Sequence, residues 1–514
     1  MASLQKKYTT AKLNGQIYTP AFLVAKMLDD IGYTGKQLLG KTLLDPACGD
    51  GRFLCEAARR IAAVSPPDGL AQHWACLYGW DIDPEAIAAC IRNLDQIAAP
   101  YGLNPAWNIA QRNALTEPYP CQFDAIVGNP PYVRIQHIDE TQRRYLQQHY
   151  QFCRNGSTDI YIAFFEYCYQ HLAPEGICAL LTPNTFFYTQ TAQALRNFFA
   201  ETQNLIQISN YADIQLFDRA TTYSAITLFD RHRRDAFVFQ KAISPLQFAQ
   251  KQIGFEQLKQ RTWQLSTEDA PPPLPDAQKL GDIAHIHVGI TTLCDKAYIF
   301  RISQTDGQYA LAHTTLAGDV WLEKSLLRPI VKASTLKSSS QAIVEYILFP
   351  YQKNERQQHR IIPEAELARQ YPRAYAYLQT IKPHLDRRDN GKPNSVAWYA
   401  FGRSQGLDTG FGAKILFSPM NKTPNFIAFD REECTFYSGY CIKPHQTQHT
   451  APLLNQLNSL RMGQFIALSA RDFRNGWKAY NKQIVANFDV SMSELLPLTA
   501  PTATAHRPDS KKCL

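Results

Sequence analysis

Four consecutive residues carry the most specific chemistry in the chain. Asn129, Pro130, Pro131 and Tyr132 stand directly after the apolar run 123–127. Proline fixes φ and has no N–H, so the carbonyls before and between the two rings can point into a site. The Asn129 side-chain oxygen and the Pro130 carbonyl then make two acceptors, and Tyr132 adds an aromatic face. That set suits an amino group on an aromatic ring. Such a nitrogen is planar and poorly nucleophilic because its lone pair is delocalised. Two acceptors that take its hydrogens draw it toward tetrahedral geometry and free the lone pair. The tyrosine ring can stack on the ring that bears the amine. The alkylated ammonium is acidic enough to lose its proton without a dedicated base.

Three further motifs lie upstream, each after an apolar run. In Leu44-Asp45-Pro46-Ala47-Cys48-Gly49-Asp50-Gly51 an acid is followed by a tight small-residue turn. Gly49 and Gly51 allow a ligand close to the backbone, and the spacing is not the dinucleotide G-x-G-x-x-G. In Trp80-Asp81-Ile82-Asp83-Pro84 the first acid can accept both hydroxyls of a ribose, whereas Asp83 before Pro84 suits a helix N-cap. In Gln111-Arg112-Asn113 the Asn113 side chain can bond an adenine or simply form a turn.

These motifs need a frame that lines them up. Runs at 42–44, 75–80, 106–110, 123–127, 177–181 and 225–229 read as strands, and 52–63, 84–96, 158–172 and 190–201 as helices. The alternation predicts an α/β, Rossmann-like domain with a mainly parallel sheet. Ligands then bind beyond the strands' carboxyl ends, where each motif falls. Residues 1–265 form this catalytic domain in our reading. The proline-rich stretch 266–279 is a connector, 280–497 a second, α+β domain, and 498–514 a disordered tail.

Composition sets the bounds. The chain has 514 residues, which implies roughly two to four domains. Only 19% are charged, against 45% hydrophobic, so it is a globular rather than a disordered chain. A net charge of +8 is compatible with a polyanionic partner. The start lacks an apolar signal segment and no run is long enough for a bilayer, so no membrane role and a cytoplasmic location are expected. The 12 cysteines show no C-x-x-C spacing, so free thiols and no metal site are expected.

In this order the motifs resemble those of the N6-adenine DNA methyltransferases of type II restriction-modification systems, the gamma group typified by the TaqI methylase. Gln16-Ile17-Tyr18-Thr19-Pro20 precedes the glycine turn, as in that group. The resemblance implies S-adenosylmethionine as cofactor, with Thr19 on its carboxylate and Asp45, Pro46, Ala47, Cys48, Gly49 and Gly51 at its methionine end. Asp81 would hold the ribose, Ile82 would also bind the cofactor, and Asn113, where the group has Asp, would bond the adenine amino group. Phe164 matches the aromatic on the cofactor adenine, its rival being a core-facing helical Phe. Phe217, in the stretch 216–225, matches the aromatic that packs on the extruded target base, with Tyr223 as second choice. The catalytic residues are then Asn129, Pro130 and Tyr132, Tyr132 also binding the base.

The resemblance further implies double-stranded DNA as partner and a target-recognition role for the second domain. There 288–292, 326–332 and 398–403 look like such domains, and 387–392 offers Arg, Lys and Asn for phosphates and purine edges. A monomer and a separately encoded restriction endonuclease are expected, since the stretch before Gln16 is too short for a nuclease domain. A protein glutamine N5-methyltransferase and an RNA adenine methyltransferase face the same weak nitrogen and stay as alternatives. A non-enzymatic specificity subunit would leave Asn129–Tyr132 unexplained.

Overall fold

Residues 19–133, 138–154, 159–217, 223–259, 262–470 and 472–495 are described by the computed structural model. Gln16–Tyr18 of the first motif, Thr158, residues 218–222 and the expected tail lie outside them. The chain divides into two units, Met1–Asp269 and Ala270–Leu514.

The first unit is built on one sheet of nine strands in the order β3-β2-β1-β4-β5-β7-β6-β8-β9. They are β1 (Leu43–Asp45), β2 (Leu77–Asp81), β3 (Asn108–Gln111), β4 (Phe123–Gly128), β5 (Leu172–Pro183), β6 (Leu205–Asn210), β7 (Ser224–Phe229), β8 (Ala236–Ser244) and β9 (Gln247–Gly254). Strands β1 to β5 run parallel. β7 lies antiparallel between β5 and β6, and β8 is parallel to β6 with β9 hairpinned back on it. The sheet therefore extends past residue 229, where the sequence reading ended it, and admits β6, which that reading left out.

The central strands are apolar on both faces because helices cover both. Alternate residues feed opposite cores: Leu44, Ile126 and Leu180 pack with Phe165 and Phe199 on one side. Leu43, Val127 and Leu181 pack with Leu54 and Ile61 on the other. The helices that matter for the site are α1 (Ala21–Asp30), α2 (Arg52–Val64), α3 (Pro84–Ala98), α4 (Tyr161–His171) and α5 (Gln193–Thr202). α3 starts as expected, with Pro84 in its first turn and the Asp83 carboxylate accepting Glu85 N at 2.9 Å.

The second unit is α+β. It contains a six-stranded and a four-stranded sheet, with helices that include Pro372–Asp386 and Leu460–Ser469. The expected connector belongs to it from Ala270 on: Ala277–Lys279 pairs antiparallel with Asp489–Ser491, and Arg461 donates to the Pro272 carbonyl at 2.7 Å. Proline-rich composition alone did not reveal those partners, which lie some two hundred residues away in sequence. Among the described residues no helix is long and apolar enough to cross a membrane, and the described cysteines are free.

Candidate active site

Three strand ends meet in the first unit. β1 ends in Asp45, which is 1% exposed. Its carboxylate accepts Ala47 N at 3.2 Å, folding the following turn back on the strand. Burial pushes this carboxyl up to about 8, and the charges of Asp81 and Asp50 act in the same direction. Room for it comes from Gly128 at the end of β4, where a Cβ would stand 3.1 Å from Asp45 Oδ1. Sequence reasoning passed over Gly128, which carries no chemistry and shows its role only across strands.

The two glycines of the turn differ. Gly49 has φ +53 and open space where a Cβ would be, so a ligand can approach its backbone. Gly51 has φ +83, and a Cβ there would meet Cys90 Sγ of α3 at 2.4 Å. It lets α2 start tight against α3. Pro46 and Cys48 are buried and Ala47 half-buried.

At the end of β2 the Asp81 carboxylate accepts Gly49 N and Asp83 N, each at 2.9 Å. It thereby ties the β1 and β2 turns together, and burial raises its pKa. Ile82 beside it is 62% exposed, an apolar surface available to a planar ligand. Asn113 Oδ1 accepts Leu115 N at 3.1 Å, forming the turn beyond β3. A buried acid without a cationic partner among the described residues, beside an open glycine turn and a second acid, fits a cationic nucleoside such as S-adenosylmethionine.

β4 delivers the tetrad. Asn129 Nδ2 donates to Thr19 Oγ1 at 3.2 Å, just ahead of α1. Its Oδ1 accepts the Tyr132 hydroxyl at 2.6 Å, and that hydroxyl lies 3.2 Å from the Leu181 carbonyl on β5. The Tyr132 ring packs edge-on against Tyr161 of α4, centroids 6.4 Å apart. Burial raises the Tyr132 phenol far above its ordinary value, so it stays a donor. Pro130 is buried. Thr19 and Asn129 are 110 residues apart in sequence and meet here.

Phe164 is 6% exposed within the core on the α4 side, and Phe217 is 5% exposed in the opposite core. Tyr223 lies half-buried just before β7. In the second unit Arg388 departs from expectation. It is buried, with Nε on Leu385 O, Nη1 on Thr292 O and Ala400 O, and Nη2 on Trp398 O. Its donors are spent on the protein, so it is no phosphate contact. Arg403 pairs with Asp389 at 3.1 Å. A tight turn and two adjacent arginines look alike in sequence whether they face inward or outward.

The Eco57I restriction-modification methylase family matches residues 107–217, the span that holds the tetrad. The chain is 25% identical to the type II restriction enzyme and methyltransferase RM.Eco57I of Escherichia coli, a match covering 76% of this chain and 48% of that protein. It is 24% identical to the type II methyltransferase M.BstVI of Geobacillus stearothermophilus, covering 70% and 73%. With M.BanIII of Aneurinibacillus aneurinilyticus it shares 22%, covering 86% and 83%. The chain thus spans about half the length of RM.Eco57I and more of the other two. The DNA complex of the type IIL restriction-modification enzyme MmeI has a similar fold, with a TM-score of 0.53, 13% identity, and coverage of 91% of this chain and 65% of that one. The first unit therefore has an α/β, Rossmann-like fold, and residues 107–217 within it match the Eco57I restriction-modification methylase family.

Proposed function

We propose that the protein methylates the exocyclic N6 of adenine within a short duplex DNA sequence, as the modification enzyme of a restriction-modification system. The observation that carries this reading is the Asn129 amide, fixed at the end of β4 with Tyr132 beside it and the Asp45 and Asp81 turns on neighbouring strands. The relatives' names, type II methyltransferases, support DNA as substrate over a protein glutamine or an RNA.

S-adenosylmethionine, when bound, supplies an electrophilic methyl group on a sulfonium. The protein's own residues do the rest. Asp45 and Asp81 would hold the cationic and ribose parts, and Ile82 would cover the adenine. Asn129 Oδ1 and the Pro130 carbonyl would accept the target amino hydrogens. Tyr132 would stack on the base, a contact worth about 1–3 kcal/mol. That offsets roughly a few kcal/mol for turning the base out of the duplex. Orientation and the preorganised acceptors then account for the rate.

The second unit is the reader of sequence in this proposal. Support comes from a hairpin in which Asp472–Phe473 pairs with Trp477–Ala479 across a turn at Asn475 and Gly476, both with positive φ. Trp477 is 40% exposed and Lys422 Nζ stands 5.9 Å from its ring. An aromatic with a cation beside it suits bases and phosphates. The enzyme would act as a cytoplasmic monomer beside a separately encoded endonuclease of the same specificity.

Transfer of labelled methyl from S-adenosylmethionine to duplex DNA, followed by base analysis, tests the proposal. N6-methyladenine is expected. Methylated cytosine alone, or label on protein alone, overturns it.

A further inference from the structure

A carboxamide has an acceptor end and a donor end of nearly equal size. For Asn129 the difference is decisive, because only Oδ1 can take a hydrogen from the target amine. Turned over, the side chain would set N–H against N–H. Something must therefore fix the amide before the base arrives and keep it fixed afterwards.

The Tyr132 hydroxyl holds Oδ1 at 2.6 Å. It cannot be the lasting anchor, because it occupies the acceptor that the target amine must use. The Nδ2 end is different. It donates to Thr19 Oγ1 at 3.2 Å, at the end of the amide opposite Oδ1. Thr19 is 4% exposed, and its carbonyl accepts Arg52 Nη1 at 3.3 Å. It leads directly into α1, whose first turn is closed by Leu23 N and Val24 N on the Pro20 carbonyl. α1 is seated in the core through Leu23, Val24, Met27 and Leu28. The hydroxyl that receives Nδ2 is thus tied to a packed helix.

We propose that Thr19 is a positioning residue for methyl transfer: its hydroxyl accepts Asn129 Nδ2 and so keeps Oδ1 turned to the target amino group. This rests on the adenine reading above and adds a role to the one that resemblance implies for Thr19. A hydroxyl has one donor and two acceptor sites. With its one hydrogen given to a cofactor carboxylate, only acceptor sites remain, and these take Nδ2 and not Oδ1.

The test is a double-mutant cycle in the full-length protein. Thr19→Val keeps the shape and removes the hydroxyl, and Thr19→Ser restores the hydroxyl. Single-turnover methylation is measured at saturating cofactor and DNA, with cofactor Kd titrated separately. Thr19→Val should slow the saturated rate by about tenfold, the loss of one hydrogen bond, and Thr19→Ser should recover most of it. In an Asn129→Ala background Thr19→Val should cost nothing further in that rate, because the group it orients is gone. Equal slowing in both backgrounds overturns the proposal. So does a change confined to cofactor Kd with the saturated rate intact. Wild-type protein that methylates some other atom would instead defeat the adenine reading, and the cycle would still report on Thr19 and Asn129.

Discussion

The Tyr132 hydroxyl sits 2.6 Å from Asn129 Oδ1, so the acceptor for an incoming amine is in use before any base enters. To stack on a base as proposed, Tyr132 would have to swing from Asn129 and Leu181. Tyr132→Phe removes the hydroxyl and keeps the ring. It should speed base capture, read as a faster 2-aminopurine signal at the target position in stopped flow, with the chemical step nearly unchanged. Tyr132→Ala should lose the stacking, roughly ten- to hundredfold in capture. Identical capture rates for wild type and Tyr132→Phe would mean the hydroxyl does not hold the site.

Asn129→Ala would leave the Asp45 and Asp81 turns and the proposed phosphate contacts alone. Single-turnover methylation should fall by on the order of 10²–10³, while DNA and cofactor affinities stay close to wild type. A defect made up wholly of lost DNA affinity would count against the assignment.

Asp45 links the site to pH. Its carboxyl moves from an ordinary value of 3.8 to about 8 in the folded protein. Between those values the folded chain binds more protons than the unfolded one, so this group's contribution makes stability fall as pH rises from 4 to 8. Asp45→Asn should flatten that slope in thermal melts across the same range. In the wild type a cationic cofactor should bind more tightly as pH rises and release a proton. Calorimetry in buffers of differing ionisation enthalpy would show it. A pH-independent difference in melting between wild type and Asp45→Asn would refute the shift.

Asp81, the proposed ribose ligand, also braces the site, because its two oxygens accept the amides of Gly49 and Asp83. Asp81→Ala should weaken cofactor binding and also destabilise the unit by about 1–3 kcal/mol, visible in denaturant melts. Unchanged cofactor affinity in the mutant would leave Asp81 as a brace only.

If the hairpin of the second unit meets DNA as proposed, its two side chains should separate base from phosphate contacts. Trp477→Ala should lower duplex affinity roughly tenfold without altering its salt dependence. Lys422→Ala should reduce the salt slope by about 1. Wild-type affinity and slope in both variants would exclude the hairpin from the interface.

What could be read from sequence follows locality. Strands β1, β2, β4 and β7, the cap at Asp83 and the tetrad are set by neighbours within a few positions. β6 could not be placed that way: Leu205–Asn210 follows α5 closely and inserts between β7 and β8, an ordering fixed by tertiary pairing. α1 was missed because Pro20 precedes it with no side-chain cap to announce it. In the site, residue types were legible and directions were not. Nothing local says that Tyr132 folds onto Asn129, that Gly51 yields to Cys90, or that Arg388 turns inward.

A sheet of nine strands has just two borders, and each is a hazard for self-association. β3 is four residues long and mostly exposed, too short to template a neighbour. β9 is longer, Gln-Phe-Ala-Gln-Lys-Gln-Ile-Gly, and places glutamines and a lysine along the rim. Lys251 then reaches the Glu268 carbonyl at 3.1 Å and the Asp269 carboxylate at 2.6 Å, fastening the end of the unit beside that rim. Removing Lys251 would take a charge from that rim and free the Glu268–Asp269 segment, so the cost of losing this one ammonium should appear as aggregation on storage or refolding rather than in catalysis.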